Sequence, residues 1–134
     1  MMWPDMGRCC MSPAEDASLL LRIVQRHLRA MRCNLDPDYP AEEWGFQAQQ
    51  ALEKLLKAEL VLQNIAPPRT HELRELAFLL NQSLPEEQLK LQVFAVEARY
   101  QEGPFALPAS REVLLDALEC RLSLLEKAIA GTQP

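Results

Sequence analysis

The chain has 134 residues, 49% of them hydrophobic and 25% charged, with four glycines, few aromatics and a formal net charge of −5. That length suits a single domain with one core, and the scarcity of glycine and aromatics favours helices over a sheet. The acidic balance argues against general nucleic-acid binding, which needs a basic surface, while leaving room for a local basic patch.

No apolar run approaches the roughly 18–20 residues of a membrane span, and the first ten residues lack the pattern of a secretory signal. Cys9 and Cys10 are adjacent, Cys33 and Cys120 stand alone, and with His27 and His71 they make no paired metal-ligand spacing. The expectation is a cytoplasmic protein with reduced thiols, no metal site and no membrane association. Met11-Ser12-Pro13 reads as a natural beginning. Residues 1–11 are accordingly expected to be a disordered or extension tail, and residues 12–131 a single helical domain.

Helix one is predicted from Pro13 to Cys33. Ser12 is a good N-cap, Pro13 suits the first helical position, and Glu15 and Asp16 complement the positive end of the dipole. Leu20, Ile23, Val24, His27 and Met31 share one face, where His27 is expected at the boundary or hydrogen-bonded, while Arg22, Arg26 and Arg29 line the opposite one, read as a solvated face with an anionic partner as the sharper alternative. Asp36-Pro37-Asp38 and Pro40 then turn the chain. Helix two is predicted from about Ala41 to Asn64, ahead of Pro67-Pro68. Trp44, Ala48, Ala51, Leu52, Leu55, Ala58 and Leu62 form its apolar face, and Gln49, Gln50, Glu53, Lys54 and Lys57 the polar one.

Thr70 is the expected N-cap of helix three, whose buried stripe is Leu73, Leu76, Ala77 and Leu80. Ser83-Leu84-Pro85-Glu86 spells a capping box that should open helix four. Leu89, Val93, Val96 and Tyr100 lie on one side of that helix and Leu91, Phe94 and Ala98 on the other, a pattern that predicts burial on two faces. Gly103-Pro104 breaks it, Phe105 and Leu107 are placed to pack back, and Ala109 or Ser110 opens helix five. Val113, Leu114, Ala117, Leu118, Leu122, Leu125 and Ile129 make its apolar face, with Gly131 as the stop. The fold expected is all-α, an antiparallel up-and-down bundle of four to five helices.

Nothing in the chain spells a nucleophile elbow, a phosphate-binding glycine loop or a zinc-binding His-Glu-x-x-His helix. The spelling Gln50-Ala51-x-Glu53-Lys54-x-x-Lys57-Ala58, then Thr70-His71-Glu72-Leu73, then Ala98-Arg99-Tyr100, resembles the HEPN domain family across roughly Leu19 to Ile129. Many members of that family are ribonucleases that use a late arginine followed four to six residues on by a histidine at a dimer cleft. Here the late arginine is Arg99, and residues 100–110 contain no histidine. Arg22 and His27 have the spacing but lie in helix one and project about 140° apart. No catalytic residue is therefore assigned.

The resemblance points instead to the nucleotidyltransferase-associated branch. It implies a non-catalytic homodimeric module that binds a nucleotide, a minimal nucleotidyltransferase partner in a toxin–antitoxin-like pair, or both. Relatives often continue Arg-Tyr with Pro-Asp, where this chain has Gln101-Glu102. The candidate ligand-binding residues are Lys54, Lys57, His71, Arg99 and Tyr100, with a nucleotide as ligand and no cofactor. For each, a structural role competes: Glu53 can pair with Lys57, and Arg99 with Glu97 or Glu102. The competing function is a metal-independent HEPN endoribonuclease toxin, although the net charge gives an RNA partner no support.

Overall fold

A computed structural model describes residues 12–132, and among these there is no strand. Three long helices carry the fold: α1 (Pro13–Cys33), α2 (Ala41–Leu62) and α6 (Arg111–Thr132). Between α2 and α6 lie α3 (Leu73–Leu79), α4 (Glu86–Leu89), a 3₁₀ turn (Lys90–Phe94) and α5 (Glu97–Tyr100). The all-helical bundle is as expected; residues 1–11, read above as a tail, lie outside the described residues.

Ser12 caps α1 in a reciprocal box: its hydroxyl accepts from the Glu15 amide at 3.2 Å, and Glu15 Oε1 accepts from the Ser12 amide at 3.0 Å. The buried stripe is Ala17, Leu20, Leu21, Val24, Leu28 and Met31, which leaves Ile23 and His27 half-buried and Arg22, Arg26 and Arg29 exposed. Two cross-helix pairs, His27 with Gln47 and the Trp44 indole with the Met31 carbonyl, show α1 and α2 running antiparallel. Gln25–Glu126 and Arg32–Glu119 show the same for α1 and α6. The α6 N-terminus returns beside the start of α2, where Arg111 donates to the carbonyls of Asn34, Asp36 and Tyr39 and lies over the Trp44 ring.

The two-faced reading of α2 is corrected. Gln49, Glu53 and Lys57, assigned to the polar face, are 0%, 3% and 9% exposed, because α1, α3, the 3₁₀ turn and α6 all pack around this helix. Helix α2 ends at Leu62, two residues before the expected Asn64, whose φ of 61° lets the Ile65 amide reach back to the Leu60 carbonyl. Asn81, at φ 56°, ends α3 the same way, with the Gln82 amide on Ala77.

The middle of the chain departs most from expectation. Thr70 Oγ1 accepts from the Glu72 amide, and α3 begins later, at Leu73, whose own amide is met by Gln92 Oε1 at 2.7 Å. The Ser83 capping box does not form: α4 opens after Pro85 with no side-chain cap. Helix four itself is broken. Tightening to three residues per turn over Lys90–Phe94 brings Leu91 and Phe94 onto one side, and both are fully buried. The price is that Val96 and Tyr100, expected in a second buried face, are 52% and 75% exposed.

Phe94 also explains Gly45. A Cβ added there would sit 2.5 Å from the Phe94 ring, so only glycine lets the ring lie against α2. Phe105 and Leu107 pack back on the core as expected, and the Phe105 amide is held by Glu42 Oε2 at 2.9 Å. Ser110 caps α6 through the Val113 amide. Gly131 does not stop that helix, which continues to Thr132; a glycine in a helix costs about 1 kcal/mol relative to alanine, too little to end it alone. Val113, placed in the apolar face, is 54% exposed.

Candidate functional site

The polar residues of α2 form a connected chain rather than a solvated face. Glu53 is at its centre: Lys57 Nζ donates to Oε2 at 3.0 Å, while His71 Nδ1 and Gln49 Nε2 meet Oε1 at 3.0 and 3.2 Å. Gln49 Nε2 also donates to the His71 carbonyl at 3.3 Å, which fixes the segment before α3 against α2. Gln50 donates to Gln49 Oε1 at 2.8 Å, and Lys54 Nζ donates to Gln50 Oε1 at 2.8 Å. Burial pushes the Glu53 carboxyl up, but donation from His71, Lys57 and Gln49 outweighs it and holds the group below its ordinary value.

An ionised Glu53 can only accept, so His71 carries a proton on Nδ1, and in the neutral ring Nε2 is then an acceptor. The His71 side chain is 61% exposed, whereas Lys57 is enclosed and satisfied by Glu53. Lys54 differs from both. It is half-buried, and among the described residues no carboxylate lies within 4 Å of it. Burial pushes its ammonium down; Glu53 opposes this, while Lys57 and Arg26 add to it. The neighbouring His27 is likewise lowered, first by burial and further by Lys54 and Arg26, against the 2.6 Å bond to Gln47. Arg26 and Lys54 thus bring two positive charges to the α1–α2 seam of an acidic protein, beside the His27 ring, whose charged form they disfavour.

Arg99 and Tyr100 stand apart from this network. The Arg99 guanidinium lies 4.8 Å from the Phe46 ring centroid and 5.5 Å from that of Tyr100, and among the described residues it has neither of the carboxylate pairs weighed for it. The two groups of candidates are related through α2: Phe46, Gln50 and Lys54 are spaced by four residues and follow one stripe, so Phe46 and Lys54 are separated by about 12 Å of helix rise. The sequence motif therefore holds two clusters, one polar and one aromatic, along one stripe.

Glu53, Gln49, Gln50 and Phe46 were not among the candidates, although they organise both clusters. Gln49, Glu53 and Lys57 do stand at i, i+4 and i+8, a spacing that places them in one row. No group of three histidine, cysteine or acidic residues suited to a metal occurs among the described residues.

The fold and site define an all-helical domain whose second helix carries a buried carboxylate–lysine pair met by a histidine ahead of α3, with an exposed Arg-Tyr pair further on. The HEPN domain family matches residues 17–129, and the chain belongs to that family. No curated protein and no solved structure gives a significant match. No helix among the described residues is long and apolar enough to cross a membrane.

Proposed function

We propose that this HEPN domain is a non-catalytic module that binds a nucleotide, with the phosphates at Lys54 and the base near the Phe46–Arg99–Tyr100 cluster. The observation that carries this is Lys54: a cation held half in the protein, on one amide oxygen, beside Arg26 and His27. An anion there supplies the charge that the fold leaves out, and the exposed Arg99 and Tyr100 offer a stacking edge at the other end of the stripe. Lys57 and His71 support the site by holding Glu53 and the α3 approach rather than by reaching the ligand. Partnership with a minimal nucleotidyltransferase in a toxin–antitoxin-like pair is consistent with such a module. The exposed Val96 and Tyr100 supply apolar surface for a second copy.

The test is the melting temperature with ATP and GTP, with and without magnesium, in the wild type, Lys54→Met and Arg99→Ala. Ligand at a hundred times its dissociation constant should add about 2.7 kcal/mol. Both substitutions should reduce that gain, and no shift with any nucleotide would overturn the reading.

One observation favours the endoribonuclease reading. The Glu53–His71 pair orients an exposed imidazole in the manner of a general base, supplying a histidine that the stretch after Arg99 lacks. Cleavage of labelled RNA in chelator, lost in both His71→Ala and Arg99→Ala, would establish that alternative in place of the binding module.

A further inference from the structure

Helix α1 carries charge on two sides, and the fold matches only one of them. Along the edge that meets α6, Gln25 donates to Glu126 Oε2 at 2.9 Å and Arg32 to Glu119 Oε2 at 2.6 Å. On the outer face Arg22, Arg26 and Arg29 are all exposed, and among the described residues none of them has a hydrogen bond or a carboxylate within 4 Å. Glu126, which shares a small cavity with Arg22, is already held by Gln25. Three unmatched arginines thus stand together in a chain with 19 acidic residues against 14 basic ones. Their steps of four and three keep them within an arc of about 60°, over roughly 10 Å of helix rise.

The face is not purely cationic. Leu19 is 38% exposed and Ile23 and Ala30 are half-buried, and the three run along the same side at steps of four and seven. From Leu19 to Ala30 the face covers three turns, roughly 16 Å. Helices α2 and α6 pack against the opposite side of α1 and leave it open. A nucleic-acid backbone would gain nothing from the apolar residues, and Glu119 and Glu126 along the α6 edge would repel its further phosphates. A helix lying along α1 meets both features: apolar side chains on Leu19, Ile23 and Ala30, and carboxylates at helical spacing on the arginines.

We propose that the outer face of α1 docks an acidic amphipathic helix of a partner protein, its carboxylates on Arg22, Arg26 and Arg29. This goes beyond the nucleotide reading and does not depend on it. Because Arg26 also stands beside Lys54, the test changes only Arg22, Arg29 and Leu19.

The probe is a fluorescein-labelled peptide of three Leu-Ala-Ala-Leu-Glu-Gln-Glu repeats, with a counterpart carrying Lys for every Glu, each titrated against the full chain. The acidic peptide should bind and the basic one should not. Arg22→Gln with Arg29→Gln should weaken binding about fivefold, the size of two exposed ion pairs. Leu19→Ser removes no charge and should weaken it about as much, through lost apolar contact. Arg22→Glu with Arg29→Glu should exchange the preference between the two peptides. Cys33 lies at the end of the same face and is exposed, so the acidic peptide should slow its alkylation and leave that of Cys120 on α6 unchanged.

No binding of the acidic peptide, equal binding of both peptides, a preference that survives charge reversal, or an unchanged affinity in Leu19→Ser would each overturn the proposal. So would displacement of the peptide by an equimolar single-stranded RNA, which would assign the face to a nucleic acid instead.

Discussion

Lys54 and His27 meet at the α1–α2 seam, and both are disfavoured as cations there, first by burial. For His27 the consequence is a pH dependence of known sign. Its folded-state pKa lies below the unfolded value of 6.5, so the unfolded chain binds more protons as pH falls through that value. The stability conferred by the neutral ring is whole above it and is lost below. Glu53 acts lower on the scale: with its folded pKa held below 4.5, its contribution is present above that value and fades as pH falls through the folded one. Thermal melts from pH 7.5 to 3 should therefore decline in two stages, and His27→Gln should flatten the first. A melting curve unchanged by His27→Gln between pH 6.5 and 5 would contradict this assignment.

At the same scale, glycine 45 is set by the Phe94 ring. Alanine normally gains up to about 1 kcal/mol over glycine in a helix, but the 2.5 Å clash with a fully buried ring reverses the sign. Overpacking of this kind costs about 1–3 kcal/mol, so Gly45→Ala should lower stability in urea unfolding, and a stabilised variant would refute the packing argument. Sequence alone did not expose this, because the contact joins α2 to a turn some fifty residues on.

Among the elements, α2 organises the core and carries most of the candidate site residues. Its ends and its apolar row were legible, since Pro67-Pro68 and the spacing of Trp44, Ala48, Leu52 and Leu55 are local signals. The burial of Glu53 and Lys57 was not, because a polar row reads as solvated until a neighbour covers it. The α3 start that covers it depends on Gln92, nineteen residues away from the amide it meets.

Helix four failed for a related reason. A two-sided apolar pattern fits a buried helix, but packing chose the 3₁₀ turn that buries Leu91 and Phe94 and left Val96 and Tyr100 outside. The internal pair on α2 makes a direct prediction. Glu53→Gln strips Lys57 of its partner and should cost about 3–5 kcal/mol, whereas the double variant Glu53→Leu with Lys57→Met should recover most of it. Denaturant titrations of the two variants measure this, and a double variant no better than the single would show that the pair contributes more than mutual neutralisation.

Over the whole molecule, family and helical class were readable from three short motifs, and the family match spans them. The motifs did not reveal how their residues divide: Lys54, Lys57 and His71 join one hydrogen-bonded chain, while Arg99 and Tyr100 form an aromatic edge on Phe46. The exposed Val96 and Tyr100 beside that edge give the proposed homodimer its face. Sedimentation should accordingly report a dimer that Val96→Glu with Tyr100→Glu converts to a monomer, and a wild-type monomer at micromolar concentration would contradict it.

The most direct test of nucleotide binding is the Lys54 side chain itself, followed by ¹³Cε NMR as ATP or GTP is added. An anion bound at Lys54 should raise its pKa from the depressed value in the free protein, and Arg99→Ala should weaken the response. A Lys54 titration unchanged at saturating millimolar nucleotide would contradict the account and leave the stripe on α2 with a structural role only.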